Sequence, residues 1–277
     1  MTKVKRPDIQ GIRGLAIASV LGFHLREQQF PAGFVGVDIF FVLSGFLMSS
    51  ILAREHAITL VVLKTFYIRR FKRIVPLYAI LLILLFFSVP LILMKRDVIK
   101  FIVDVVWAAF FSTNIHSVVE QTDYFTELFD SNVLTHTWSL GVEIQYYLIV
   151  PFIYSIQRLV GTTLSFAYLV LLITVSLSPV QLLPSQYLRL LAIALTAAVI
   201  VIGNNEANQS IIFSNRFIVY LGDISYVVYL VHWPVIIMWK SYWDLSELSD
   251  KDIFICLSVT FVISVAIHHT LEKFFIT

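Results

Sequence analysis

Between Ile74 and Met94 the chain runs for 21 residues without a charged side chain. About 20 apolar residues in a helix suffice to cross the hydrocarbon of a bilayer. Further apolar runs lie at about 9–25, 34–52, 98–114, 138–156, 162–178, 187–202, 217–239 and 253–269. Only 14% of the residues are charged and 58% are hydrophobic, against about 25% charged in a soluble domain. So little charge could not solvate a globular surface, and it excludes a disordered chain or a coiled coil. Cys256 is the one cysteine, which excludes a disulfide scaffold. The net charge of +2 argues against nucleic acid as a partner. The expected fold is all-α, a polytopic transmembrane bundle of about nine to ten helices. With neither a repeat nor a Gly/Ser linker, it reads as one membrane-embedded domain over residues 1–277.

Nine spans of roughly 20 residues would use about 180 residues. What remains is too little for a soluble catalytic domain, so any chemistry lies within the helices or at their ends. The first run follows Lys3, Lys5 and Arg6, and Arg13 interrupts it, so it reads as a retained helix despite the signal-like Ala16-Ile17-Ala18. Six cations (Arg54, Lys64, Arg69, Arg70, Lys72 and Arg73) fill the stretch from 53 to 73. Together with the basic N-terminus they predict a cytoplasmic face for both segments. Glu120, Asp123, Glu127 and Asp130 make the 115–135 loop acidic and non-cytoplasmic by the same rule. Two full spans between these segments would put that loop on the wrong side. Either the 98–114 segment, with Lys100 and Asp104, lies partly in the interface, or the charge rule fails here. Asn208-Gln-Ser210 is a glycosylation sequon if it faces a lumen.

Ionisable side chains within spans are costly, and they mark cavities or function. Arg13 and His24 lie eleven residues apart on nearly one face of the first helix, roughly 16 Å along its axis. Gly14, Ala18 and Gly22 offer a seam of small residues for close helix packing. Asp38 sits early in the second span, either as a dipole partner or as an orienting partner for Arg13 or His24. Arg70 and Arg73, three apart, could fork onto phosphate oxygens, although contact with anionic lipid explains such a cluster as well. His136 and Glu143 are seven apart on one face, which suits a carboxylate–imidazole acid/base pair or a buried interhelical bond. Ser225, Tyr229 and His232 make a hydroxyl–phenol–imidazole stripe at i, i+4, i+7 ahead of Pro234. His268, His269 and Glu272 end the last span, where interface placement is the default. No well-formed metal motif, Gly-x-Ser-x-Gly elbow or glycine-rich phosphate loop is visible, so no metal is expected.

In order along the chain come Asp8-Ile-Gln-Gly11-Ile-Arg13-Gly14 with ten residues between Arg13 and His24, Gly33-Phe-Val-Gly36-Val-Asp38-Ile-Phe-Phe41-Val-Leu-Ser44-Gly45, and Arg69-Arg70-Phe-Lys-Arg73-Ile-Val-Pro76. His136-Thr-Trp138-Ser-Leu-Gly-Val-Glu143-Ile-Gln145 and Gly222-Asp-Ile-Ser225-Tyr226-Val-Val-Tyr229-Leu-Val-His232-Trp233-Pro234 follow. This series resembles the acyltransferase 3 family of multi-pass membrane O-acyltransferases.

The resemblance implies transfer of an acyl group, often acetyl, from acyl-CoA to a hydroxyl acceptor such as a carbohydrate or lipid-linked sugar. It implies His24 as acid/base with Arg13 completing the site. Arg70 and Arg73, with Arg69 beside them, match the family's basic residues for acyl-CoA phosphates. Glu143 joins the catalytic set. Asp38, Ser44, His136, Tyr229 and His232 match polar motif positions with substrate or supporting roles. The chain departs from the family at Ile144, where a second acid is frequent. It also departs at Phe274, where the closing segment usually has proline, and in the short region between Pro151 and Gly222. A transporter or lipid translocator using the same polar cavity, or an inactive relative, are the rival readings.

Overall fold

The computed structural model describes residues 6–93, 95–120, 132–160, 183–202 and 213–276, and every regular element among them is helical. The helices are α1 (Pro7–Leu25), α2 (Val35–Leu52), α3 (Leu60–Ser88), α4 (Lys95–Ala109) and α5 (Thr113–Val119). They continue with α6 (Trp138–Val160), α7 (Leu183–Ile202), α8 (Arg216–Trp243) and α9 (Asp250–Ile267). A π turn, His268–Glu272, and a last helical turn, Lys273–Ile276, close the chain. Local chemistry marks several helix starts. The hydroxyl of Thr59 accepts from the Val62 N–H at α3, and the amide oxygen of Asn215 accepts from the Phe217 N–H at α8. Ser249 and Asp252 form a reciprocal capping box at α9.

Four helical stretches are long and apolar enough to cross a membrane: Val35–Leu52, Leu60–Leu91, Arg216–Trp243 and Asp250–Phe275. Tyr187–Val201 is a shorter apolar helix. The nine to ten spans expected from hydropathy are therefore not reached among the described residues. The predicted run 162–178, the acids Asp123, Glu127 and Asp130, and the sequon at Asn208 lie outside them.

Two departures from the sequence reading concern the site. Of the basic stretch 53–73, only Arg54 lies in the connection before α3; Lys64 to Arg73 stand in the first half of this 29-residue helix, continuous with the apolar run and passing through Pro76. The predicted span 98–114 is broken instead. Its first part, α4, is 15 residues long, about 22 Å against a hydrocarbon core of about 30 Å. It doubles back along α3 until the Tyr78 hydroxyl donates to the Ala108 carbonyl at 3.0 Å. Phe111 then turns the chain through a left-handed conformation (φ 53°). α5 returns along α4, with His116 stacked on Trp107 and 3.5 Å from Asp104. Neither α4 nor α5 is among the helices long and apolar enough to cross a membrane, in line with the alternative in which 98–114 lies partly in the interface.

The site hangs on α1, which is clasped between α2 and α8. α1 and α8 run side by side in one direction: Arg13 meets Ser225, and His24 meets His232. Glycines permit this approach. A Cβ on Gly222 would lie 1.8 Å from the Gln10 carbonyl oxygen, and one on Gly14 would lie 2.2 Å from that of Ile218. The close seam is thus Gly14 against Gly222, and not the predicted Gly14–Ala18–Gly22 stripe; Ala18 is exposed. Both neighbouring atoms are backbone, so an added methyl must push the helices apart. Gly222→Ala is expected to destabilise the fold by about 1–3 kcal/mol, seen as a lower thermal midpoint in detergent. An unchanged midpoint would contradict the packing described.

Candidate active site

One end of the bundle carries a wide, open basic mouth. Arg69, Arg70, Lys72 and Arg73 of α3 face it, together with Tyr220, Asp223, His269 and Lys273. The three arginines expected to bind phosphate therefore share one basin. Their spacing of one, three and four residues along a helix gathers them on adjoining faces.

Arg73 also lines a second, much narrower cavity deeper in the bundle, so the two spaces adjoin at this side chain. Arg13, Phe40, Ser44, Ser139, Glu143, Ser225 and Tyr229 form its polar and aromatic walls. The guanidinium of Arg13 donates to the Ser225 hydroxyl from Nε (3.3 Å) and Nη2 (3.2 Å), and it lies 5.8 Å from the Phe40 ring centroid. The carboxylate of Glu143 accepts from the Ser44 hydroxyl at 2.7 Å and from the Tyr147 hydroxyl. Tyr229 forms the far wall. Its hydroxyl donates to the His136 carbonyl at 2.9 Å and is 2.6 Å from the Ser139 hydroxyl.

Beyond Tyr229, towards the opposite end of α1, three imidazoles gather. His24 Nδ1 and His232 Nε2 are 2.9 Å apart, and the His136 and His232 rings are 5.9 Å apart. The proton positions follow from the partners. His232 Nδ1 faces the carbonyl oxygens of Tyr229 (2.8 Å) and Val228 (3.1 Å). A carbonyl only accepts, so Nδ1 carries the hydrogen. With both rings neutral, His232 Nε2 must then accept from His24 Nδ1–H. The basic nitrogen of His24 is consequently Nε2. A fixed tautomer of this kind is what a positioned general base requires. His232 is fully buried, while His24 retains partial exposure and rests 4.7 Å from the Trp233 ring centroid.

Several sequence expectations are corrected by this geometry. Asp38 orients neither Arg13 nor His24. It forms a buried, forked ion pair with Arg189 of α7, Nε lying 3.0 Å from both carboxylate oxygens and Nη2 2.8 Å from one. Both residues are sequestered, at 2% and 6% exposure. Arg189 was legible as a lone cation entering the apolar run 187–202, and the sequence reading passed over it. His136 and Glu143 do not pair, because His136 precedes α6 in a 3-10 turn, Thr135–Thr137, and Glu143 is engaged by Ser44 and Tyr147. The stripe on α8 is brought together as three separate links: Ser225 to Arg13, Tyr229 to Ser139, and His232 to His24. Among the described residues, no group of three or more His, Cys, Asp or Glu side chains is placed to hold a metal ion.

Apolar helices that hold a basic mouth, an adjoining polar cavity and, beyond the Tyr229 wall of that cavity, a histidine pair define a helical membrane-protein domain with an internal site. The chain belongs to the acyltransferase 3 family, whose profile, described as an acyltransferase domain, matches residues 6–184 and 155–269. The Staphylococcus aureus (strain COL) protein named "Putative O-acetyltransferase SACOL0978" is 37% identical over 158 residues, 55% of this chain and 26% of that protein. O-acetyltransferase OatA of Staphylococcus aureus (strain NCTC 8325 / PS 47) is 38% identical over 154 residues, 53% of this chain and 24% of that protein. The match thus spans about a quarter of the length of these curated relatives. No solved structure matches the chain.

Proposed function

We propose that this chain is a single membrane-embedded acyltransferase domain that moves an acyl group, acetyl being the expected one, from acyl-CoA to a hydroxyl acceptor, such as a carbohydrate or a lipid-linked sugar. The observation that carries the reading is the tautomer-fixed His24–His232 pair, which lies beyond Tyr229 from the polar cavity that adjoins the basic mouth. The names of the relatives, O-acetyltransferases, support the same class of reaction.

In this reading the basic end, with the N-terminus, faces the cytoplasm in line with the positive-inside tendency. Arg69, Arg70 and Arg73 bind the phosphates of acyl-CoA, and the thioester arm enters the cavity past Arg73 towards Tyr229. His24 Nε2 takes the proton of the acceptor hydroxyl as its oxygen attacks the thioester carbonyl. The C–O bond forms, and the tetrahedral intermediate collapses with loss of the C–S bond. The departing thiolate leaves as CoA–SH with the proton that His24 held, so the base is regenerated. Arg13 supplies positive charge on the donor side of the path, and Glu143 with Ser44 and Tyr147 shapes the opposite wall. Asp38 supports α2 through Arg189, and His136 packs behind His232.

Membranes containing the chain, incubated with radiolabelled acetyl-CoA and a panel of hydroxyl acceptors, are expected to yield labelled, base-labile ester. No CoA-dependent label across a broad panel would turn the reading towards a transporter or a binding-only relative.

A further inference from the structure

Resting on the reading above that the basic mouth takes acyl-CoA, we propose that the C-terminal π turn builds the second wall of the donor site, with Lys273 binding a phosphate of the donor's nucleotide opposite the arginines of α3. The nucleotide end of CoA carries a 5′-diphosphate and a separate ribose 3′-phosphate. Arg69, Arg70 and Arg73 all stand on one helix and form one side of a wide mouth whose other lining comes from α8 and the last turns of the chain. A single wall of cations cannot engage phosphates on both sides of a ribose in so wide a basin. The last turns of the chain, which pack against α3, supply the other side.

The π turn explains how. On α9 the buried residues Cys256, Thr260 and Ser264 follow one another at intervals of four. Continued to His268 and Glu272, four such steps would accumulate about 160° of drift in a regular α-helix. The π turn takes in an extra residue, worth about 100° of rotation, and Glu272 stays buried, at 6% exposure. There it lies 2.6 Å from His268 Nδ1, its carboxylate committed to that ring. Lys273, the next residue, is thereby turned out to the rim, exposed.

Lys273 is also held in place. Its ammonium lies 3.1 Å from His269 Nδ1, and His269 Nε2 lies 3.1 Å from the Tyr220 hydroxyl. An ammonium only donates, so Nδ1 accepts and Nε2–H donates to the phenol oxygen. A neutral imidazole, itself anchored to α8, therefore sets the position of the cation.

Five permanent cations (Arg69, Arg70, Lys72, Arg73 and Lys273) face two carboxylates, Glu272 and Asp223, in this mouth, a balance that favours an anionic ligand.

The test uses the full chain in phosphatidylcholine nanodiscs and titrates CoA, adenosine 3′,5′-bisphosphate and pantetheine. Lys273→Ala is expected to weaken CoA and the bisphosphate about five- to tenfold, to leave pantetheine affinity as it was, and to be largely restored in Lys273→Arg. Equal CoA affinity in Lys273→Ala and wild type would overturn the proposal, as would an equal loss for pantetheine. So would a wild type that ignores CoA while Lys273→Ala lowers retention of phosphatidylglycerol in mixed nanodiscs, which assigns the cation to a lipid phosphate. A wild type that binds CoA in the expected pattern yet transfers no acyl group would count against the proposed reaction and not against this wall.

Discussion

His24→Ala is expected to lose about 10²- to 10⁴-fold in acyl-transfer rate, the range that a positioned acid/base supplies. Its membrane insertion and CoA affinity should remain those of the wild type. The size of the effect follows from the geometry. His232 can hand its Nδ1 proton to nothing better than the carbonyls of Tyr229 and Val228, so it serves as an acceptor for His24 and fixes which His24 nitrogen is basic. Removing His24 removes the base itself; removing His232 leaves the base with either tautomer. His232→Ala should therefore slow the reaction less than His24→Ala does, with its loss falling on kcat more than on KM. Steady-state kinetics on both variants check this. Wild-type turnover in His24→Ala would remove the proposed chemistry.

The second large effect is on stability. Asp38 and Arg189 join α2 to α7 through a buried, forked ion pair with Nη2 2.8 Å from one carboxylate oxygen. Deleting one partner leaves the other charge buried without its counter-ion, so Asp38→Ala or Arg189→Ala alone should destabilise by about 3–5 kcal/mol. The double variant should recover part of that loss, because no buried charge is then left over. Thermal unfolding of the three variants in one detergent measures it. Additive losses would show that the two residues act independently, contrary to the pair described.

Much of the site was legible in sequence, for a physical reason. Arg13 with His24, and Ser225 with Tyr229 and His232, each share a face of one helix, and helical periodicity reports faces directly. That these two stripes meet could not be read, because 208 residues separate His24 from His232. The same blindness misassigned Asp38, whose partner is 151 residues away on α7, and left unnamed the partner of Glu143, whose interhelical bond is made to Ser44 of α2, 99 residues away. Periodicity also assumes an unbroken helix. It consequently missed the left-handed turn at Phe111 that folds α5 back along α4, and the π turn that places His269 and Lys273 at the mouth. The all-helical class, by contrast, depends only on composition and run length, and there hydropathy was enough; it overstated the number of long apolar crossings, four of which are present among the described residues.

In the proposed reaction an acyl group passes from CoA to a hydroxyl within this bundle. The most direct measurement follows free CoA thiol and acceptor ester together, using the purified chain in sealed vesicles supplied with acetyl-CoA. The predicted result is thiol release that requires the hydroxyl acceptor and matches ester formation one for one. Passage of label across the vesicle without either product would contradict it.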